Sequence, residues 1–237
     1  TLSPSSAASD VYKRQVFRDS HSLELFDGLN NVRLAPDVVF LLRPQLSLTS
    51  NQQKKIAVIS VISVADKMIH KNTKDIQVKY VNKMVDIITM LTLKDYQVIL
   101  FGFSTPENDI KEAEIIFKKL PEETKNMTSV KAHDDINKSL NILKSADILI
   151  SSRFHSMILG WVLGIPQYVI SYGDKTTDVI NDLFPEQFSV SVEEFSDTDT
   201  QTMLQRFNTL PKGHLSLLTD QADKQFEFVD NYYAELI

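Results

Sequence analysis

The chain has no cysteine among its 237 residues, which excludes disulfides, thiolate nucleophiles and thiolate-bound metals together. That absence suits a reducing compartment such as the cytoplasm. It also lacks any excess of positive charge: 25 Lys and Arg stand against 31 Asp and Glu, for a formal charge of −6. Binding a phosphate backbone requires clustered cations that displace counterions, so no nucleic-acid partner is expected, while local basic pockets remain compatible with this balance. Long apolar runs are missing as well. Runs such as VILFGF (98–103) and ADILI (146–150) fall far short of the roughly 20 residues that a bilayer-crossing helix needs. The N-terminus has neither the apolar centre of a secretory signal nor the Arg-rich amphipathic pattern of a transit peptide. No internal repeat or low-complexity tract interrupts the chain.

What is present is a hydrophobic content of 43%, enough for a sizeable core. The stretch Ser5–Gln15, SSAASDVYKRQ, is similar to the in-frame translation of a transposon-type sequencing adapter. Residues 1–15 are therefore read as non-native, and native sequence is expected from Val16. Residues 16–42 read as the remnant of an N-terminal domain: a short strand at VFRDSHS, half a helix at LELFDGL, and a buried strand at VVFLL after Pro36. Residues 43–55 are polar and without period, and are read as a linker.

From Ile56 a regular alternation begins and is assigned to one domain, residues 56–237. IAVISVISV precedes a helical face marked by Val78, Val81, Met84, Val85, Ile88 and Leu91. YQVILFGF precedes Ile110, Ala113, Ile116, Phe117 and Leu120. The pattern recurs with TSVKA, ADILIS, PQYVIS and QFSVSV, each followed by a helical segment, and a last helix carries Leu215, Leu218, Ala222, Phe226, Val229 and Tyr233 on one side. Continuous apolar strands separated by helices are the mark of a parallel sheet buried on both faces. The expected fold class is α/β, a Rossmann-like doubly wound parallel sheet.

In such sheets ligands lie beyond the carboxyl ends of the strands, and two loops there carry chemistry. After ADILI, Ser151 and Ser152 can cap the next helix, with Arg153, Phe154 and His155 in its first turn. Backbone N–H groups at a helix start, together with a guanidinium fork, suit a carboxylate or phosphate. After PQYVISY, Gly173 permits a turn, and Asp174 and Lys175 open another helix. An arginine and histidine at a helix start are equally consistent with a solvated end, and a lysine there with ordinary surface. His133 reads as a loop residue, Asp134 and Asp135 as caps, and Phe101 and Phe103 as core. Residue chemistry alone reaches an anion-binding site in an α/β domain.

The segment ADILISSRFHSMILGWVLGIPQYVISYGDK (146–175) resembles the polysaccharide pyruvyltransferases: Arg-hydrophobe-His entering a helix, Gly-x-Pro, then a strand ending in Tyr with a Lys nearby. RDSHS, LAPDVVF and NDIKEA add weaker matches in the right order. Phe154 stands where leucine is commoner, and the VISVADK strand end lacks an arginine that some members carry. The resemblance implies a two-domain GT-B-like fold, of which this chain would be the C-terminal half. It implies transfer of the enolpyruvyl group of phosphoenolpyruvate onto a glycan or lipid-linked saccharide, giving a pyruvate ketal in the building of an exopolysaccharide or cell wall polysaccharide. No metal and no cofactor besides this donor are implied. His155 would be the acid/base and Arg153 the clamp on the donor. Ser151, Ser152, Tyr172 and Lys175, with Arg18, Asp19, Ser22 and Asp37 from the other side, would line the substrate site; Asp37 reads equally well as a turn residue. A nucleotide-sugar glycosyltransferase and a non-catalytic anion-binding fragment are the alternatives. With one wall of the cleft, the chain is expected to fold over residues 56–237 and to show little activity alone. The inner face of the membrane is the expected place of work if the acceptor is lipid-linked.

Overall fold

The computed structural model describes residues 15–43, 54–67, 73–227 and 234. The adapter-like stretch before Gln15 and most of the polar linker, residues 44–53, lie outside the described residues, as do Val229 and Tyr233 of the last helical face.

Six strands form the central sheet: β3 (Lys55–Ser60), β4 (Tyr96–Gly102), β5 (Thr128–Ala132), β6 (Ile148–Ser151), β7 (Gln167–Ser171) and β8 (Ser189–Ser191). Their order is β5-β4-β3-β6-β7-β8 and every pairing is parallel. The expected doubly wound α/β architecture is therefore present. The central strands read as apolar runs because both faces are covered: Ala57, Val58 and Ile59 are all fully buried, and so are Leu149 and Ile150. The crossovers are helical, chiefly α3 (Thr73–Leu93), α4 (Asp109–Lys119), α6 (Ile136–Lys144), α7 (Phe154–Leu163) and α8 (Asp174–Leu183), with short helices α2 (Val64–Lys67) and α5 (Glu122–Lys125) between them. The long run IAVISVISV is split: the strand stops at Ser60 and the remainder leads into α2.

Beyond its first turn helix α7 is apolar all round, with Met157, Ile158 and Trp161 fully buried, so all but its start lies inside the molecule. It ends at Gly164, whose left-handed φ of 66° lets the Ile165 N–H reach back to the Gly160 carbonyl. This is the physical content of the Gly-x-Pro signature. After β8, a capping box at Ser191 and Glu194 starts α9 (Val192–Asp197), followed by α10 (Thr200–Leu204), α11 (Lys212–Ala222) and a 3-10 turn at Asp223–Phe226. Phe226 is half exposed there.

The N-terminal segment forms its own two-stranded parallel sheet, β1 (Gln15–Phe17) with β2 (Val32–Leu34), joined through α1 (Ser20–Glu24). The helix comes earlier than LELFDGL suggests because Asp19 caps it, accepting the Ser22 N–H at 2.7 Å. VVFLL is not the expected strand. Asp37 accepts the Val39 N–H at 3.0 Å and turns Val38–Leu41 into a 3-10 turn. Its Phe40 is 1% exposed and stacks on Trp161 with ring centroids 6.3 Å apart. This segment is also clasped by the C-terminal helices: Thr219 donates to the Phe40 carbonyl at 3.1 Å, and the Gln225 amide donates to the carbonyls of Ala35 and Pro36 at 2.9 and 2.7 Å.

Candidate active site

From β3 the sheet grows one way through β4 and β5 and the other way through β6 to β8. The crevice above the carboxyl ends of β3 and β6 is therefore the topological switch point, where open α/β sheets bind their ligands. The SSRFHS turn leaves β6 at this place. Its serines do not cap α7, as they were expected to. The strand runs on through Ser151, so both hydroxyls face inward: Ser151 donates to Gln167 Oε1 at 2.9 Å and Ser152 meets the Tyr80 hydroxyl at 3.2 Å. They are 1% and 2% exposed, so both hydroxyls are turned away from solvent. Arg153 occupies the N-cap position and makes no side-chain cap bond. The positive end of α7 is left without a side-chain cap, as an anion site requires.

Arg153 is buried, and its guanidinium is engaged by the protein itself. Nε donates to Asp109 Oδ2 at 2.8 Å, Nη2 donates to Asp109 Oδ1, and Nη1 pairs with Glu107. Asp109 has no exposed surface and also accepts the Ser104 N–H at 2.7 Å. Burial pushes its carboxyl upward; the fork on both oxygens is what makes a charge there tolerable. The sequence reading missed both acidic partners. In NDIKEA an aspartate at a helix start reads as a partner of the helix dipole, and nothing local ties it to an arginine 44 positions away.

A second cluster joins residues that are remote in sequence. Arg18 pairs with Asp37, and the His155 Nε2 atom lies 3.6 Å from Asp37 Oδ2. Burial alone would raise the Asp37 carboxyl, but His155, the Val39 N–H and Arg18 together hold it well below the usual carboxylate range. The His155 side chain is 49% exposed, so the imidazole is oriented by a carboxylate and remains open to solvent. Phe154 supplies the floor: the Lys175 Nζ atom lies 4.3 Å and the Arg18 guanidinium carbon 5.2 Å from its ring centroid. Lys175 is exposed, and partial burial together with the nearby Arg18 charge lowers its pKa. The RDSHS element is fastened here by Ser20, which donates its N–H and hydroxyl to Asp182 of α8 at 2.6 and 2.7 Å.

The remaining candidates separate. Asp19 is consumed as the α1 cap, and the Ser22 N–H is what it binds. Asp37 is both a turn cap and a member of the His155 cluster. Tyr172 stands by the other cluster, its ring centroid 5.9 Å from Lys67 Nζ. Gly173 does not supply an unusual turn: its φ of −177° is extended backbone open to any residue, and an added Cβ would meet nothing within 4 Å. Among the described residues no group of three or more His, Asp or Glu side chains is placed to hold a metal ion, and no helix is long and apolar enough to cross a membrane.

The family model described as polysaccharide pyruvyl transferase matches residues 16–174. The chain belongs to this family. The match takes in both the Arg18 and Asp37 segment and the SSRFHS turn, so the polysaccharide pyruvyl transferase signature and the clustered side chains coincide. No curated protein matches the sequence. Among solved structures, a glycotransferase of kitacinnamycin is similar over 94% of this chain and 55% of its own, at 14% identity and a TM-score of 0.51. Sucrose-phosphate synthase from Thermosynechococcus elongatus is similar over 93% of this chain and 58% of its own, also at 14% identity and a TM-score of 0.51. These likenesses show the fold alone, a GT-B-like one. The chain spans about half the length of the solved structures it matches.

Proposed function

We propose that the protein transfers the enolpyruvyl group of phosphoenolpyruvate onto two hydroxyls of one sugar in a glycan or lipid-linked saccharide. The observation that carries this reading is the exposed His155 imidazole, held 3.6 Å from a carboxylate at the start of α7 and beside the Phe154 ring that Lys175 and Arg18 approach. Phosphoenolpyruvate brings about three negative charges, which a helix N-terminus and two cations suit. In the first step a sugar hydroxyl gives up its proton as its oxygen bonds to C2 of the donor, and the π pair of the enol takes a proton at the methylene carbon, making it a methyl group. In the second a neighbouring hydroxyl bonds to the same carbon, its proton leaves, and inorganic phosphate departs with the C–O bonding pair. His155 is positioned to hand on a proton, a service typically worth roughly 10²–10⁴-fold in rate. Asp37 keeps the imidazole turned toward the reacting oxygen. Arg153 braces the turn through Asp109 and offers only Nη1 to the donor.

We place the reaction in the cytoplasm, at the inner face of the membrane when the acceptor is lipid-linked, in a cleft with a second wall facing this domain. The 237-residue chain is expected to bind donor and to turn over slowly by itself. Incubation with phosphoenolpyruvate plus saccharide acceptors, and separately with nucleotide sugars, tests the reading. Phosphate release with appearance of a pyruvate ketal is expected; release of nucleotide from nucleotide sugars alone would replace it with glycosyl transfer.

A further inference from the structure

The guanidinium of Arg153 meets carboxylates of two different kinds. Nε and Nη2 are committed to Asp109, which is fully buried and anchored to the Ser104 N–H. Nη1 faces Glu107, whose side chain is 41% exposed and comes from the turn before α4. The other oxygen of Glu107 takes the Lys67 Nζ atom at 2.6 Å, and Lys67 lies beside the Tyr172 ring. Glu107 is thus an exposed carboxylate lodged between two cations from different crossovers, one after β3 and one after β6, at the switch point of the sheet. Without Glu107 the place it fills would be faced by the Lys67 ammonium and by Nη1 of Arg153, at the mouth of the crevice where ligands of this architecture bind.

We propose that Lys67 and Arg153 Nη1, with Tyr172 alongside, form an anion subsite that Glu107 fills in the free protein, and that a carboxylate or phosphate of the ligand takes its place. Glu107 is an internal competitor: it keeps the two cations paired when the crevice is empty and lowers the affinity of any anion that enters. The subsite rests on the proposed reaction only for naming the donor as that anion.

Calorimetric titration of the 237-residue protein with inorganic phosphate, and separately with pyruvate, tests this in the unaltered chain, in Glu107→Gln and in Glu107→Gln combined with Lys67→Met. Glu107→Gln is expected to bind one of the probes several-fold more tightly, and the added Lys67→Met to abolish that gain. A gain with phosphate assigns the subsite to the phosphate group; a gain with pyruvate assigns it to the carboxylate. Equal or weaker affinity of Glu107→Gln for both probes overturns the proposal, and so does a Glu107→Gln protein that fails to fold, since Glu107 would then be a structural brace. Tighter phosphate binding in a protein that releases nucleotide from nucleotide sugars and no phosphate from phosphoenolpyruvate would keep the subsite and remove the reaction.

Discussion

Asp37 carries more than one duty in a single carboxylate: it caps a 3-10 turn, pairs with Arg18, and stands beside His155. Because its pKa is held low by those three partners against the opposing effect of burial, it is an anion throughout the range in which enzymes work, and the imidazole always faces a fixed negative charge. Asp37→Asn keeps the shape and the capping oxygen but removes the charge. The expected outcome is a fall of about 10-fold or more in kcat with the donor Kd little changed, read by single-turnover kinetics and by direct titration. An unaltered kcat would leave Asp37 as a cap only. At this scale the sequence was partly legible. His155 and Lys175 could be placed near an anion from their positions after strands, whereas the use of the Arg153 fork could not, because its partners Asp109 and Glu107 belong to another crossover and are brought over by the sheet.

Between the residue and the whole stands the 3-10 turn Val38–Leu41, which docks the N-terminal segment on α7. Its hold is Phe40, nearly fully buried against Trp161, and behind Trp161 the Phe184 ring lies edge-on at 6.1 Å. Phe40→Ala would leave a cavity in that stack and is expected to cost about 3–5 kcal/mol, measured from denaturant midpoints; a loss under about 1 kcal/mol would mean that the segment is held by its polar clasp instead. The alternating strands and helices from Ile56 onward were readable because strands covered on both faces are uniformly apolar and their crossovers keep a helical period. VVFLL was not, since a short apolar run fits a strand or a turn equally well, and the choice was made by a side-chain cap and by a tertiary partner, neither of which hydrophobic period reports.

Across the whole molecule, the buried carboxyls set how stability responds to pH. Glu112 is 4% exposed and accepts from the Gln77 amide at 2.6 Å. Burial raises its pKa from 4.5 to about 7, with Gln77 pulling down and Asp66 pushing up. The folded protein therefore keeps a proton there that the unfolded chain gives up. That contribution is complete below about pH 4.5 and is lost as pH rises through about 7. Thermal melts across pH 5 to 8 are expected to show a smaller decline for Glu112→Gln than for the unaltered protein; parallel curves would mean that the carboxyl is already ionised in the fold.

The clasp of the C-terminal helices on the N-terminal segment has a consequence in time. Arg18 and Asp37 leave the ribosome among the earliest residues of this stretch, yet the carbonyls just before Asp37 are gripped by Gln225 and that of Phe40 by Thr219, almost the last described residues to be made. Nascent chains fold progressively from the front, but these three hydrogen bonds to the segment bearing Asp37 must wait until residues 219 and 225 have been made, well after every strand of the sheet. A ribosome-bound intermediate would already have the strands of the sheet and the SSRFHS turn in hand before this clasp can close.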